Sequence, residues 1–401
     1  MRRTSFFLGS VAVIGAVAFL GYAVWAKAHM AEPTVAEVQV ELVDTRKLIV
    51  DQVLEQRAEQ IEQDPSLEFS SNKITVLLVG LDSRKGQGNP HCDAIHFFTF
   101  DLEDWSILIT SIPRGTYSAL PAGGTYQPNQ FYVSNACGFG GVDYGISQME
   151  KISGLQADYV VTAGFSQAMG VFRLLKLPAA DTLQWLRHRQ IYAIGDPQRS
   201  HNQALFMKDI IIAHVSDFES DLTAPLQYVF FTTISTDMEF SLARALLKGY
   251  LAADIAHRPE DIRLQMIPYH QTVDYHYDQN TLEEDLQQKI DFMQPLLTQD
   301  ELTGRSQEEV QAELVAFLQD RLESDESVSD VVAQELWLQV EEEQVREQLE
   351  FEYAERYFEE LKVTDQVAAV KYMSDYILEQ QALGNDTYLE SARADLENIV
   401  E

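Results

Sequence analysis

Asp82 and Arg84 stand directly behind an apolar run, Ile74-Thr75-Val76-Leu77-Leu78-Val79-Gly80. Asp93 follows, then Arg114 in Ser111-Ile112-Pro113-Arg114. Further on come Leu186-Arg187-His188-Arg189 and Gly195-Asp196-Pro197-Gln198-Arg199, with Gln203 shortly after. Arginines recurring beside aspartates in a chain of net charge −34 point to phosphate and a divalent cation. Guanidinium forks match phosphate oxygens, and carboxylates hold hard cations. If Asp82 and Asp93 come from neighbouring strand edges, they can share one Mg²⁺, with water and phosphate oxygens filling its shell. Arg114 follows a buried strand, so it projects from the end of a sheet, where open α/β sheets bind ligands. In an extended segment Arg187 and Arg189 face the same way, which is costly unless an anion lies between them. Arg199 and Gln203 are one helical turn apart and can share a face. Together Arg114, Arg187, Arg189 and Arg199 can neutralise a pyrophosphate, while His188 points away as a structural residue. Each residue also has a plainer reading: Asp82 and Asp93 as turn or cap residues, Arg114 as a surface residue beside a proline turn.

These side chains need a sheet to hold them. The run 74–80, ended by glycine, predicts a buried strand. Segments 95–100 and 106–112 predict two more, with a turn at Asp104 and Trp105. Further strands are expected at 159–163 and 262–268. Helices are expected at 141–152, 166–175, 204–215 (with Gln203 at its polar start) and 237–251, the last with Asp237 as N-cap. From about residue 280 glycine nearly vanishes and Glu, Gln and Leu dominate; about two-thirds of the net negative charge lies there. Leu314, Phe317, Leu318 and Leu322 have helical spacing, and Tyr353, Tyr357 and Phe358 continue an aromatic face, so a helical hairpin or small bundle is expected. No chemistry is visible in it.

At the other end, Arg2 and Arg3 precede an uncharged run from Ser5 to Ala26. That run is about 22 residues long, enough to cross a bilayer. Tyr22 and Trp25 sit at its outer end, and the arginines keep the N-terminus in the cytoplasm. A cleaved signal peptide is the competing reading, since Ala26-Lys27-Ala28 mimics a cleavage site. A polar, helix-prone stalk follows, ended by Pro65. The overall acidity argues against non-specific nucleic-acid binding; a solvated acidic surface or adaptation to high salt also accounts for it. Cys92 and Cys137 are the only cysteines. Outside a membrane they can pair, or remain two thiols; their spacing gives no metal signal.

The ordered set, from Leu-Leu-Val-Gly-Leu-Asp-Ser-Arg through Asp93, Ser-Ile-Pro-Arg and Arg-His-Arg to Gly-Asp-x-x-Arg-x-x-x-Gln, resembles the LytR-CpsA-Psr (LCP) family over residues 73 to about 215. Ser235-Thr236-Asp237 and Ile262-Arg263-Leu264-Gln265-Met266-Ile267-Pro268 are similar to its later part, and the short cytoplasmic tail with one membrane span also fits. The resemblance implies an α/β fold with a central mixed sheet flanked by helices. It implies transfer of a glycopolymer from a polyprenyl-pyrophosphate carrier to a cell-wall acceptor such as peptidoglycan, outside the membrane. It assigns Asp82 and Asp93 to Mg²⁺, and Arg84, Arg114, Arg187, Arg189, Arg199 and Gln203 to pyrophosphate. Asp82, Asp93 and Arg114 would be catalytic, a carboxylate taking the acceptor's proton. The expected organisation is a cytoplasmic tail at 1–4, a transmembrane helix at 5–26, a stalk at 27–72, an LCP-like domain at 73–278 and an acidic all-α region at 279–401. The sequence departs from the family at His91, Gly115 and Asn202, where charged residues are usual, and is short between Phe165 and Arg187. These departures keep two alternatives in view: a non-catalytic envelope scaffold on the same fold, and a polyprenyl-pyrophosphate hydrolase.

Overall fold

The computed structural model describes residues 35–62, 72–82, 90–188, 194–220, 224–282, 284 and 306–399. The expected tail and membrane span, Arg84 and Arg189 lie outside the described residues. Among those described, no helix is long and apolar enough to cross a membrane.

The sheet has six strands among the described residues: β1 (Lys73–Asp82), β2 (His91–Asp101), β3 (Ser106–Ser111), β4 (Tyr159–Ala163), β5 (Ser235–Thr236) and β6 (Ile262–Met266). Their order is β5-β4-β1-β2-β3-β6. β1 runs antiparallel to β2 and parallel to β4, and β3 runs antiparallel to β2 and parallel to β6. The sheet is therefore mixed, as the resemblance implies. β1 is central and buried on both sides, which is why its sequence is an unbroken apolar run rather than an alternating one.

Side chains of alternate parity feed two cores. Leu77, Val79, Ile95 and Phe97 pack with Val133, Cys137 and Met149 from helices α2 (Val133–Gly140) and α3 (Val142–Ser153), which follow α1 (Val35–Glu62) in the chain. Ile107, Ile109 and Ile262 pack on the opposite face with Ala204, Val215 and Tyr250. Those residues come from α6 (Asp196–His214), its C-cap and α9 (Phe240–Ala252). Between these helices lie α4 (Phe165–Leu174), α5 (Ala179–Arg187), the short α7 (Asp217–Ser220) and α8 (Ala224–Thr232). Each fully buried aliphatic side chain contributes about 1.5–3 kcal/mol.

Cys92 and Cys137 form a disulfide between β2 and α2, with Cα atoms 5.9 Å apart, which decides between the two readings of the cysteines. Both residues are fully buried.

Three local expectations are corrected. The helix expected at 204–215 begins at Asp196, because Pro197 suits a first helical turn and the polar residues behind it are buried with partners. Asp237 is not an N-cap; its carboxylate accepts from the Val160 N–H at 2.7 Å and helps hold β5 to β4. The segment read as a stalk is α1, and it does not stand apart. Val50 and Leu54 are buried in a cluster with Phe358, Met373 and Ile377 of the C-terminal helices. Those helices are α10 (Gln307–Glu323), α11 (Ser329–Gln334), α12 (Glu343–Thr364), α13 (Gln366–Leu383) and α14 (Leu389–Ile399), so the acidic region is the expected small bundle. Arg57 of α1 bonds Asp375 of α13 at 2.5 Å and the Tyr228 hydroxyl of α8 at 2.8 Å, tying α1 to both parts of the chain.

Removing the buried disulfide frees a loop of 45 residues' separation. Cys92→Ala/Cys137→Ala should therefore lower unfolding free energy by about 2–4 kcal/mol. Denaturant titration should show an earlier midpoint; an unchanged midpoint would assign the bond no role in stability.

Candidate functional site

The site starts from an irregularity in the β1–β2 ladder. Gly80 pairs with Ala94 and Leu81 with Cys92, so Asp93 is an extra residue opposite no partner, a β-bulge. Gly80 permits this close crossing, since a Cβ there would lie 2.8 Å from that of Ala94. The bulge turns Asp93 towards the end of β3.

Arg114 meets it there. Pro113 and Thr116 form a turn just after β3, and the Arg114 carbonyl accepts from the Ser134 N–H at 3.2 Å, which pins the turn to the start of α2. The Arg114 Nη1 donates to Asp93 Oδ2 at 2.5 Å. Arg199 arrives from the first turns of α6: its Nη2 donates to the Asp93 carbonyl at 2.9 Å, and its Nη1 lies 3.9 Å from Asp93 Oδ2. The side chains are 20% (Arg114), 16% (Asp93) and 5% (Arg199) exposed, so this is a largely desolvated group rather than a surface ion pair. Breaking a buried pair by removing one partner typically costs about 3–5 kcal/mol. Asp93 Oδ1 is enclosed and has no hydrogen-bond partner among the described residues.

Asp196 adds a second carboxylate, 3.7 Å from Arg199 Nη2. A Cβ at Gly115 would lie only 3.0 Å from Asp196 Oδ2. Gly115 stands where the resemblance leads one to expect an acid, and Asp196 places a carboxylate in the space next to it. Asn202, another departure, serves structure: its Oδ1 accepts from Gln198 Nε2 at 2.8 Å, and Gln198 in turn bonds the Val273 backbone.

Gln203 faces β2, as its spacing from Arg199 predicts, but its amide is engaged one layer behind the arginines. Nε2 donates to the Leu186 carbonyl at 3.0 Å and Oε1 lies 3.3 Å from His96 Nε2. His96, which sequence reasoning missed as a site residue, is fully buried with its Nδ1 2.9 Å from Ser111 Oγ. Burial pushes its pKa down to about 4, partly opposed by the Gln203 hydrogen bond and assisted by the nearby Arg199 charge. The ring is thus neutral near pH 7 and links the middle of β2 to the end of β3 and to α6. Its signal was an ionisable residue inside the apolar run 95–100.

Arg187 corrects an expectation. It is not in an extended segment but is the last residue of α5, exposed, with its guanidinium 4.3 Å over the Phe165 ring. Gln203 tethers the adjacent Leu186, which brings that helix end beside the site. Asp82 ends β1, buried and opposite His91 in the ladder. Structure thus gathers Asp93, Arg114 and Arg199 in direct contact, with Gln203 behind and the α5 end bearing Arg187 tied to Gln203. Among the described residues, no group of three or more His, Cys, Asp or Glu is placed to hold a metal.

Residues 43–168 match the LytR_cpsA_psr family, a stretch that takes in Asp82, Asp93 and Arg114 and stops before Arg187. The polyisoprenyl-teichoic acid–peptidoglycan teichoic acid transferase TagT of Bacillus subtilis (strain 168) is 30% identical over 105 residues, covering 25% of this chain and 31% of that protein. The chain thus spans under a third of the curated relative's length in that match. Among solved structures, B. subtilis TagV has a TM-score of 0.40 at 18% identity, covering 56% of this chain and 99% of that one. TagT bound to LI-WTA has a TM-score of 0.37 at 19% identity, covering 57% and 94%.

Between pH 6.5 and about 4 the unfolded chain protonates His96 while the folded chain resists it, so this residue makes stability fall as pH falls through that window. His96→Gln should flatten that slope in denaturant titrations at pH 6.5, 5.5 and 4.5. An identical slope in both proteins would place the proton uptake elsewhere.

Proposed function

We propose that this chain, whose residues 43–168 belong to the LytR-CpsA-Psr family, is a membrane-anchored transferase acting outside the cytoplasm. It moves a glycopolymer from a polyprenyl-pyrophosphate carrier to a cell-wall acceptor such as peptidoglycan. The observation that carries this reading is the Asp93 carboxylate clamped by Arg114 and Arg199 at the end of the sheet. Two guanidinium groups held by a partly buried anion are pre-oriented, and their remaining N–H donors suit phosphate oxygens. The disulfide is in keeping with an oxidising, extracytoplasmic setting.

In the reaction, an acceptor hydroxyl oxygen bonds to the sugar-side phosphorus. The bond from that phosphorus to the bridging oxygen breaks, and polyprenyl phosphate leaves. Arg114 and Arg199 neutralise the charge that builds on the phosphoryl oxygens, which is most of what such a transfer needs. Arg187 at the end of α5 binds the outer phosphate, with Arg84 and Arg189 assigned to the same anion by resemblance. Asp93, or Asp82 at the end of the neighbouring strand β1, accepts the hydroxyl's proton. Gln203 and His96 act from behind, fixing the end of α5.

Asp82 and Asp93 fit Mg²⁺ as carboxylate oxygens on adjacent strands, with the enclosed Asp93 Oδ1 available. Two carboxylates suffice when phosphate and water complete an octahedron. A bound ion would supply further neutralisation of the pyrophosphate.

A second reading, a non-catalytic envelope binding protein on the same fold, is favoured by the use of Asn202 and Gln203 in structural hydrogen bonds rather than towards a ligand. Hydrolysis of the same carrier, with water as acceptor, is a third.

Binding of a short-chain polyprenyl pyrophosphate to the purified protein, with and without Mg²⁺, followed by product analysis, tests all three. Arg114→Ala and Arg199→Gln should each weaken binding tenfold or more, since one charge-assisted hydrogen bond is worth about 1.5–3 kcal/mol. Arg187→Ala should weaken it less, and Glu308→Gln on exposed α10 not at all. Normal binding by both Arg114 and Arg199 variants would move the site elsewhere. Binding without turnover in the presence of acceptor would leave the scaffold reading.

A further inference from the structure

A partly open cavity lies far in sequence from Asp93, and none of Asp93, Arg114 and Arg199 lines it. It is a cavity of about 490 Å³ between α4 and α8 of the α/β part and α11 to α13 of the acidic bundle. Its charged lining is unbalanced in a particular way. Arg173 of α4 donates to the Leu338 and Val340 carbonyls, and Arg346 of α12 donates through Nη1 to the carbonyls of Val340 and Glu341 while its charge also acts on Glu350. Lys371 bonds Asp375 at 2.6 Å, and Arg57 holds the same carboxylate. Asp375 aside, that leaves Glu335, Glu343, Glu347, Glu350 and Glu379 on the lining; burial raises the carboxyls of Glu335, Glu350 and Glu379, and none of these three has a Lys or Arg salt bridge among the described residues.

Glu335 is the least accommodated of the three. It follows α11 in a left-handed conformation at φ 47°, and its Oε2 is enclosed with no hydrogen-bond partner among the described residues. Glu350 accepts a single bond from Gln380 Nε2 at 2.9 Å. Burial raises both carboxyls, to about 8 for Glu335 and about 7 for Glu350, with their mutual repulsion adding to Glu335. The Arg346 charge partly offsets Glu350, whereas Glu335 meets only burial and the Glu350 charge, and a carboxylate so placed is costly unless something positive joins it. The remaining wall is aromatic and aliphatic: Trp337, Tyr372, Tyr376 and Leu338 line it.

We propose that this cavity binds a linear organic polycation, a diamine or polyamine whose ammonium groups meet Glu335, Glu350 and Glu379. A bare metal ion is the poorer fit: no three of the described acidic, His or Cys side chains are close enough to ligate one. Because the three carboxylates do not converge on one point, a ligand that meets them all must carry separated charges. Methylene spacers suit the apolar wall, and ammonium groups are attracted to the faces of the aromatic rings. Because the cavity lies between the two parts of the chain, occupancy would also brace the bundle against α4 and α8.

The test is isothermal titration of the full chain with cadaverine, against 1,5-pentanediol as a neutral match of the same length, in physiological salt to suppress attraction to the net charge. Cadaverine should bind saturably at one site, and the diol should not. Glu335→Gln and Glu350→Gln should each weaken binding tenfold or more, while the exposed Glu308→Gln leaves it unchanged. Both variants are isosteric and remove a buried charge, so they should melt no lower than the parent at pH 8, which checks that they fold; Glu379→Gln replaces either one that does not. No saturable binding, equal binding of the diol, or equal affinity in all the variants would overturn the proposal.

Discussion

The arrangement of the candidate site depends on one carboxylate. Asp93 sits on a bulge, so its side chain leaves the regular alternation of β2 and reaches both the turn after β3 and the first turns of α6. Three separate segments, distant in sequence, converge because each brings a charge that the others need. In a desolvated setting neither arginine is comfortable without Asp93, nor Asp93 without them. The surrounding devices serve that contact: Gly80 allows the bulge, the Pro113 turn aims Arg114, and Pro197 starts α6 early enough to present Arg199.

Behind the ion cluster lies a neutral layer. His96, Ser111 and Gln203 connect β2, β3 and α6, and Gln203 carries the connection on to the end of α5. A buried, uncharged imidazole is suited to this because it offers one donor and one acceptor without adding a third charge to the cluster. The C-terminal helices add to the frame rather than hang from it. Arg57, Tyr228 and Asp375 join α1, α8 and α13, and Gln339 Nε2 donates to Ser166 Oγ of α4 at 2.9 Å.

Much of this was legible in the sequence. The unbroken apolar run of β1, the strands after it and the acidic helical region follow from periodicity and composition, and Asp93, Arg114 and Arg199 were found as an ordered set of charges. What was not legible has physical reasons. A bulge leaves no mark beyond a glycine, so the route by which Asp93 reaches Arg114 was hidden. The polar start of α6 hid two turns of helix, since Gln198, Arg199 and Asn202 are buried by partners that only the fold supplies. Arg187 was read in an extended segment because the charges around it gave no helical stripe, yet Trp185 and Thr182 bury α5 against Tyr277 and Phe206. The acid next to Gly115 comes from Asp196, which is distant in sequence and close only in space.

The central claim is that Asp93 organises the two arginines for an anion rather than merely neutralising them. The most direct measurement is the affinity of inorganic pyrophosphate for the parent protein and for Asp93→Asn, with EDTA present so that no divalent ion contributes. If Asp93 holds Arg114 and Arg199 in place, the substitution weakens binding even though it removes a negative charge beside the anion. Unchanged or tighter binding would show that the arginines need no such holder, and would contradict the account.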